Sequence, residues 1–539
     1  MQTESSRAKS LAVAIVCLLV LAIAYYKIFH LFAHSSDEAN PLLSAYDMVH
    51  GNWLLRGWVE PVSTFYGIDL LLFGAQSIVF GKSPTILVIT PALIWAMVVL
   101  LSCAVVAKYS AKETRFFHAL CAFVILGLPQ VFNGPVAALI TVAPIHIGSI
   151  VYALIAFVLA QRFLVSRRIE RLAACSYFLL VALMTLGDPF SPYFCAAPVL
   201  LTCLSARRMD WRRRGALGAL TSGAVIAGKV GLVLIGHAGG FSIIPMPAGF
   251  VMFDLVGKNV SLVVQGILGL FGADFFGKPV SPVLDIVPFL ASGPLPALIR
   301  LPIVLLLCFV VSKLARPIMR SVLGAEPTDQ QPITQALFWA ILLVIAANLF
   351  STLPINLATS RYLLPVYVFG AILVSMSLPR VRMDQGAVGV IAASSVVSIV
   401  CGFVNSTDQH RFANGEQQQL AAWLTAHDLK DGYGPYWSAG IVTVLTHGQT
   451  TVNALAPGPN GKLTPLVWIS STPEKPLMSN PGRKFVVVEN RQIEPKFSQE
   501  QVVATFGEPS EIHQVGPYTV DVFDNNKATT RPSADDKRT

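Results

Sequence analysis

The chain has 539 residues, of which 54% are hydrophobic and only 13% are charged, whereas about 25% are charged in an ordinary soluble domain. A soluble fold of this size cannot hide so much apolar surface. The composition therefore indicates a polytopic membrane protein and excludes a cytosolic enzyme, a secreted enzyme and a receptor with a single span.

The net charge of +9 is distributed unevenly. Residues 1–404 contain 27 Lys and Arg against 16 Asp and Glu, whereas residues 405–539 contain 12 against 14. The basic excess lies in the apolar part, where positive residues set the orientation of spans. This pattern is not typical of a nucleic-acid-binding surface, and we expect no nucleic-acid partner.

Eleven apolar stretches are predicted to cross the membrane, since a span needs about 20 apolar residues. They cover roughly residues 11–29, 84–107, 116–131, 146–165, 171–187, 192–206, 215–236, 297–313, 334–350, 363–379 and 386–404. The first stretch resembles the core of a signal peptide, but no A-x-A cleavage site follows it and more spans do. We therefore predict an uncleaved anchor.

Positive residues predict the orientation. With the N-terminus inside, the inner segments carry 19 Lys and Arg before residue 405 and the outer segments carry seven. Residues 62–80 are apolar enough to span, but a span there would place the basic segments 108–115 and 166–171 outside. We therefore predict that 41–57 and 62–80 are helices lying along the outer surface.

The predicted fold is an all-α polytopic membrane domain, residues 1–404, followed by a small α+β extracytoplasmic domain, residues 405–539. The membrane domain has two long outer segments, 30–83 and 237–296, and long ordered loops often carry function. In the outer domain the pattern predicts helices in 416–429 and 498–507, strands in 450–455, 484–490 and 518–524, and a disordered end from about 526.

Candidate site residues begin in the first outer segment. Asp37 and Glu38 follow the first span by about eight residues, and Arg56 and Trp58 lie further along among other aromatic residues. A carboxylate beside an apolar wall can act as a general base, and aromatic rings suit sugars and interfacial lipid. The alternative is that these are ordinary headgroup-level residues, with the aromatic side chains as membrane anchors.

Three further polar positions stand out. Asp188 lies in a turn between two spans, either as a site residue or as a simple turn former. Arg361 precedes Tyr362 at the outer start of a span, and it is either a forked phosphate ligand or an interfacial anchor. Lys229 lies in the middle of a span, where we expect a buried charge to need a carboxylate or lipid phosphate partner, unless it snorkels. The histidines lack ligand-like spacing, so we predict no metal site.

Together these features resemble the GT-C class of membrane glycosyltransferases, such as protein O-mannosyltransferases and the aminoarabinose transferase of lipid A. The likeness lies in the long first outer loop with its early acidic residue, the many spans, the RYLLP segment at 361–365 and the outer C-terminal domain. The metal-binding motif of the oligosaccharyltransferase branch is not evident.

The resemblance implies a sugar donor linked to polyprenyl phosphate and a glycan, lipid or protein acceptor outside the cytoplasm. Asp37 would be the general base with Glu38 beside it, Asp188 the second acidic position, and Arg361 with Tyr362 the phosphate-binding pair; Arg56 and Trp58 are further candidates for substrate binding. The location implied is a bacterial inner or plasma membrane, with the N-terminus cytoplasmic.

Two other classes of function stay open at this point. A lipid or sugar transporter, or a flippase, predicts polar residues along the spans, and Lys229 is the main residue of this kind. A non-catalytic assembly protein would bind its partner through the outer domain alone.

The orientation can be tested with topology reporters. A reporter fused after residue 404 should be active outside, and one inserted near Arg168 should be active inside. A reporter at Lys82 tests whether residues 62–80 cross the membrane. An inside signal would mean that they do and that the predicted orientation is wrong.

Overall fold

The computed structural model describes residues 2–127, 139–141, 146–166, 170–246, 248–276, 295–378, 414–471, 482–490 and 496–524. Within them, eight helices are long and apolar enough to cross a membrane, by length and composition. These are Leu11–Phe29, Thr85–Tyr109, Ile147–Val165, Trp211–His237, Phe253–Leu270, Ala297–Val322, Pro332–Phe350 and Leu357–Ser377.

The apolar part has thirteen α-helices among the described residues. In chain order they are α1 (Gln2–Phe29), α2 (Ser36–Val49), α3 (Asp69–Phe80), α4 (Thr85–Tyr109), α5 (Arg115–Gly127), α6 (Ile147–Val165), α7 (Arg171–Gly187), α8 (Ala197–Ser205), α9 (Trp211–His237), α10 (Val256–Leu270), α11 (Leu295–Val322), α12 (Pro332–Phe350) and α13 (Leu364–Ser377). A π-helical turn, Pro192–Ala196, leads into α8, and a 3₁₀ segment, Leu357–Leu363, leads into α13.

The predicted spans and the observed helices agree in part. Three predicted spans correspond to shorter apolar helices, namely α5, α7 and the π-helical turn with α8, and the predicted span 386–404 lies outside the described residues. The apolar stretch Phe253–Leu270 comes from a segment that we predicted to be an outer loop. The count of eleven spans therefore remains a prediction.

The first outer segment contains less helix than predicted. Of the two predicted surface helices, 41–57 corresponds to α2, which ends at Val49, and 62–80 corresponds to α3, which begins at Asp69. With 12 residues, α3 is about 18 Å long, which is too short to cross the hydrocarbon core of a bilayer.

Helix α4 lies at the centre of the bundle and packs against α1, α5, α6 and α13. Its Trp95 is fully buried, and the indole is parallel to the ring of Tyr367 on α13, with 6.2 Å between centroids. The hydroxyl of Tyr367 donates to the carbonyl oxygen of Ile125 at 2.6 Å, so the ring fills the interior while its polar end is satisfied.

Lys229 is exposed on α9 and is not buried within the bundle, so a lipid-phosphate partner or snorkelling to the interface stays the prediction. Helix α9 packs on α7 through small residues, because a Cβ atom at Gly228 would lie 2.5 Å from the carbonyl oxygen of Ala182. The next residue along a helix points about 100° away, which turns Lys229 out of the bundle. A buried cation is instead found in α11, at Arg300.

Segments predicted to lie inside are close to one another in the structure. Arg208 forms an ion pair with Asp329, and a guanidinium nitrogen of Arg207 donates to the carbonyl oxygen of Val322 at 3.2 Å. The amide of Gln331 donates to the carbonyl oxygen of Tyr109 at 3.5 Å. These segments therefore lie together at one end of the bundle.

The described residues after 414 form a six-stranded mixed sheet with three helices, which we call the outer domain. Its helices are α14 (Gly415–Ala426), α15 (Tyr436–Leu445) and α16 (Gln499–Phe506). The sheet order is β5-β4-β3-β7-β9-β8, with β3 (Asp431–Pro435), β4 (Thr451–Pro457), β5 (Leu463–Pro465), β7 (Arg483–Glu489), β8 (Glu511–Val515) and β9 (Tyr518–Asp524). Strand β3 is parallel to both β4 and β7, and the other pairs are antiparallel.

Side chains of β7 alternate between the two faces of this sheet, as a strand buried on both sides requires. Phe485 and Val487 pack in one cluster with α14 and α15, whereas Val486 and Val488 pack in a second cluster with α16. The predicted end of α16 is observed: Gly507 follows it with φ of 84°, a conformation that suits glycine. The predicted disorder from about 526 lies outside the described residues.

A second, three-stranded sheet joins the three segments that were predicted to lie outside. Its central strand β1 (Trp58–Glu60) pairs in parallel with β2 (Ser242–Ile243) and antiparallel with β6 (Ser470–Ser471). One strand therefore comes from each of 30–83, 237–296 and 405–539. This sheet fixes the first outer segment between the bundle and the outer domain.

Helix α15 of the outer domain packs directly on α2. The N–H of Gly440 donates to Ser36 Oγ at 3.1 Å, and a Cβ atom at position 440 would collide with the side-chain oxygen of Asn40. Ile441 and Val444 of α15 belong to the same hydrophobic cluster as the bundle. The outer domain is thus attached to the bundle by a continuous packed interface.

We predict that Gly440→Ala weakens this attachment, because the added methyl group overpacks the interface at a cost of about 1–3 kcal/mol. Thermal unfolding with limited trypsin digestion of the outer domain measures the effect. The matched control is Gly415→Ala at the start of α14, where an added Cβ meets nothing within 4 Å. Equal melting and equal protease resistance of the two variants would contradict the prediction.

Candidate functional site

The start of α2 is fixed by a capping box between Ser35 and Glu38. The N–H and the hydroxyl of Ser35 both donate to Glu38 Oε2, at 2.7 Å and 2.6 Å, and Ser35 Oγ accepts from the N–H of Asp37. The sequence pattern S-x-x-E before an apolar stretch is the signature of this cap. Glu38 is buried, and burial raises its pKa to about 7 although the bonds from Ser35 oppose the shift.

Asp37 is half-buried beside this cap and is held from the outer domain. The hydroxyl of Tyr436, the first residue of α15, donates to Asp37 Oδ1 at 2.6 Å. Burial, and then the neighbouring Asp37 carboxylate, raise the pKa of Tyr436 well above its ordinary value, so its hydroxyl stays a donor. No partner of Asp37 Oδ2 is found in the described part of the chain, which leaves that oxygen available.

Asp37 and Glu38 line a cavity of about 300 Å³, which we call the first cavity. Its other walls come from the chain that follows β1, from the 3₁₀ segment before α13 and from the outer domain. The lining includes Asp37, Glu38, Glu60, Thr64, Phe65, His146, Arg361, Tyr362, Trp468 and Ile469. Four of the predicted site residues therefore line one cavity. They are the neighbours Asp37 and Glu38 and the neighbours Arg361 and Tyr362, and the two pairs are more than 300 positions apart in the chain.

Arg361 gives this cavity a positive wall. It lies in the 3₁₀ segment, half-buried, with its guanidinium carbon 5.4 Å from the centroid of the Tyr362 ring. No carboxylate lies within 4.0 Å of the guanidinium in the described residues. Its forked donors are therefore free to bind an anion such as a phosphate.

Asp188 does not line the first cavity but acts on it through His146. Asp188 is fully buried, and its Oδ2 accepts from His146 Nδ1 at 2.7 Å while Oδ1 accepts from the N–H of Phe190. The imidazole of His146 lies on the cavity wall, 5.3 Å from the Tyr362 ring. His146 has a left-handed backbone, φ of 69°, at the start of α6, and strain of this kind often occurs at functional positions.

A second buried acid lies behind this pair. Asp69, at the start of α3, has 1% exposure, and neither carboxyl oxygen has a hydrogen-bond partner among the residues described. Burial, with a smaller effect of Asp188, raises the pKa of Asp69 to about 8. Asp69 is close enough to Asp188 for the charge of Asp188 to add to this shift, so Asp69 lies near the Asp188–His146 pair.

Arg56 and Trp58, the other two predicted site residues, are not brought into the first cavity. Arg56 is exposed in a turn closed by Asn52, and its guanidinium lies 3.5 Å from the carbonyl oxygen of Ala238. The indole Nε1 of Trp58 donates to Asp47 Oδ2 at 3.0 Å, about three turns along α2 from its capped start. Trp58 is therefore fixed near the other end of α2, away from the first cavity.

Sequence reasoning did not select Glu60, His146 or Trp468, which line the first cavity, and it did not predict that Tyr436 would donate to Asp37. Glu60 is 2% exposed, its Oε1 has no partner among the described residues, and burial raises its pKa to about 8 although the Ser44 hydroxyl opposes the shift. Glu60 is the last residue of the three-residue strand β1, which is too short to show a periodicity in the sequence. Such a carboxyl is costly unless a ligand uses it.

Among the described residues, no group of three or more His, Cys, Asp or Glu side chains is placed to hold a metal ion. No protein-family model matches the chain, and no curated protein matches it.

The buried carboxyl of Glu60 predicts a pH-dependent stability. Its folded pKa of about 8 exceeds the ordinary value of 4.5, so the unfolded chain loses this proton first and the free energy of unfolding falls as the pH rises from about 4.5 to 8. Each pKa unit corresponds to about 1.4 kcal/mol. We therefore expect Glu60→Gln to raise the melting temperature at pH 8 and to change it little at pH 5.

The matched control is Glu508→Gln, which removes an exposed carboxyl of the outer domain. Differential scanning fluorimetry of both variants from pH 5 to 8 measures the difference. A Glu60→Gln variant that is less stable than the wild type at pH 8 would show that the carboxylate is satisfied by partners and not strained.

Proposed function

We propose that this protein is a membrane glycosyltransferase that moves a sugar from a polyprenyl-phosphate carrier to an extracytoplasmic acceptor by one inverting displacement. The observation that supports this proposal is a single cavity with a half-buried carboxylate, Asp37, and a guanidinium, Arg361, that has no carboxylate partner among the described residues. A base for a hydroxyl and a cation for a leaving phosphate are the two groups that this reaction needs.

The acceptor hydroxyl gives its proton to Asp37 as its oxygen attacks the anomeric carbon of the donor. The bond between that carbon and the phosphate oxygen breaks, and the electron pair leaves with the lipid phosphate. Arg361 stabilises the charge on the leaving phosphate with two parallel N–H donors. A single displacement inverts the configuration at the anomeric carbon.

Other residues would position these groups. Tyr436 holds Asp37 Oδ1, so Oδ2 faces the acceptor. Glu38 is bound to Ser35 within the helix cap, which gives it the supporting role of fixing Asp37. Asp188 fixes the ring of His146 on the wall beside Tyr362. In this proposal Asp188 and Glu38 are positioning residues and do not touch the reacting atoms.

The proposal includes the predicted orientation of eleven spans, with the first cavity at the outer surface of a bacterial inner or plasma membrane. The headgroup of a polyprenyl phosphate in the outer leaflet would then lie at the level of Arg361. This geometry needs no nucleotide site, because the donor arrives as a lipid.

The test is Asp37→Asn, which keeps the shape and the bond from Tyr436 but removes the base. We predict a fall in transfer of about 100- to 10,000-fold with retained binding of the donor. Glu38→Gln should cost much less, because an amide oxygen can still accept from Ser35. Release of undecaprenyl phosphate from synthetic undecaprenyl-phosphate sugars, with cell-envelope glycans as acceptors, measures turnover of the purified protein.

Asp254→Asn is the matched control, since Asp254 is an exposed carboxylate of the other long outer segment. Wild-type transfer by Asp37→Asn, at equal protein level, would remove Asp37 from the mechanism. Loss of transfer in Glu38→Gln alone would exchange the roles of the two acids and leave the enzyme class intact.

A further inference from the structure

A second cavity of about 140 Å³ lies between α2 and the outer domain. Residues 465–471 of the outer domain, which we call the strap, line both cavities: Trp468 and Ile469 line the first, and the strap residues other than Trp468 line the second. Helix α2 also contributes to both, since Asp37 and Glu38 face the first cavity whereas Asn40 and Asp47 face the second. The two cavities are therefore neighbours along one helix.

One wall of the second cavity is a fixed aromatic ring. Trp58 lines it, and this indole is buried and held by the bond from Nε1 to Asp47 Oδ2. Its position is also set by the backbone pairing of β1 with β6. An indole held in this way offers a rigid apolar surface beside polar groups, which suits the apolar face of a sugar ring.

The opposite wall carries a cation held in place by packing. The aliphatic chain of Lys82 passes over Gly448, where a Cβ atom would lie 2.7 Å from Lys82 Cδ. Its ammonium lies 4.7 Å from the centroid of the Tyr46 ring. Among the described residues, no carboxylate lies within 4.0 Å of the Lys82 ammonium. Asp47 Oδ1 also has no hydrogen-bond partner among the described residues.

The polar groups of the second cavity select a hydroxyl-rich ligand. The Asp47 carboxylate only accepts hydrogen bonds and the Lys82 ammonium only donates them, whereas a hydroxyl group can do both. The half-buried Asn453 adds an amide that can also do both. Because the two charges balance, the cavity favours a neutral ligand over an anion or a cation.

We infer that the second cavity binds a neutral sugar residue of the acceptor, which makes the acceptor a glycan. This inference rests on the proposed function. Along α2, Asn40 is about 4.5 Å from Asp37 and Asp47 is about 15 Å from it, at 1.5 Å per residue. A short glycan lying along this helix would place one sugar in the second cavity and present a hydroxyl of its next unit to Asp37.

The test is direct binding of neutral methyl glycosides of glucose, mannose and galactose, and of their disaccharides, to the full-length protein in nanodiscs. Saturation-transfer NMR and calorimetry report the binding. We expect at least one of these probes to bind, and we expect Lys82→Met and Asn453→Ala each to weaken it, by about 10- to 100-fold for the bond to the charged lysine. Both residues are partly exposed, and melting curves verify that the variants are folded.

Two controls separate this inference from the proposed function. Lys462→Met removes an exposed lysine of the outer domain and should leave binding unchanged. Asp37→Asn should also bind the glycosides as the wild type does, since it alters only the first cavity. Loss of transfer without loss of glycoside binding is thus the expected result for Asp37→Asn.

Binding by Lys82→Met equal to the wild type would overturn the inference, because the sugar would then bind elsewhere. Absence of binding for every neutral probe would overturn it as well. Binding of glucuronate or glucosamine in preference to the neutral glycosides would contradict the neutral ligand class.

Discussion

Helix α15 of the outer domain lies against helix α2 of the first outer segment, and both cavities are built around this contact. Gly440 lacks a Cβ atom, which lets its N–H reach Ser36 and lets Asn40 fit beside it. The same approach brings the Tyr436 hydroxyl to Asp37. If the two helices moved apart, Asp37 would lose its partner and the strap would no longer cover either cavity.

The polar groups around the first cavity are arranged at a cost in stability. Glu60 and Asp69 are buried carboxyls with oxygens that have no partner among the described residues, and burial raises the pKa of both to about 8. Proteins keep such groups where function needs them, and substitutions that remove them commonly increase stability while they reduce activity. Glu60 lines the same cavity as Asp37 and Arg361, and in the proposed function a neutral carboxyl there can hydrogen-bond a sugar hydroxyl without repelling the leaving phosphate.

Features that depend on local sequence were predictable. The apolar helices, the capping pattern of Ser35 and Glu38, and the strands of the outer domain around 451, 484 and 518 follow from periodicity and cap residues that lie close together in the chain. Asp37 and Arg361 became candidates because each is a charge next to the end of an apolar stretch, and the resemblance favoured Asp37 over Glu38; their roles stay predictions.

Features that depend on packing between distant segments were not predictable. Tyr436 is 399 positions from Asp37, and His146 is 42 from Asp188, so no spacing rule connects them. Hydropathy likewise locates Lys229 within a helix but does not tell which side of the helix faces the bundle. The burial of Glu60 depends on strands from three separate segments, and the short strand β1 has no periodicity long enough to reveal it.

The proposed function depends above all on one cavity that holds both the base and the phosphate-binding cation. The most direct measurement is a cryo-EM structure of the full-length protein in a nanodisc with undecaprenyl phosphate bound. We predict phosphate density in the first cavity, within hydrogen-bond distance of the Arg361 guanidinium and on the side that Asp37 faces. Phosphate density at another position, with the first cavity free of lipid at saturating concentration, would contradict the proposal.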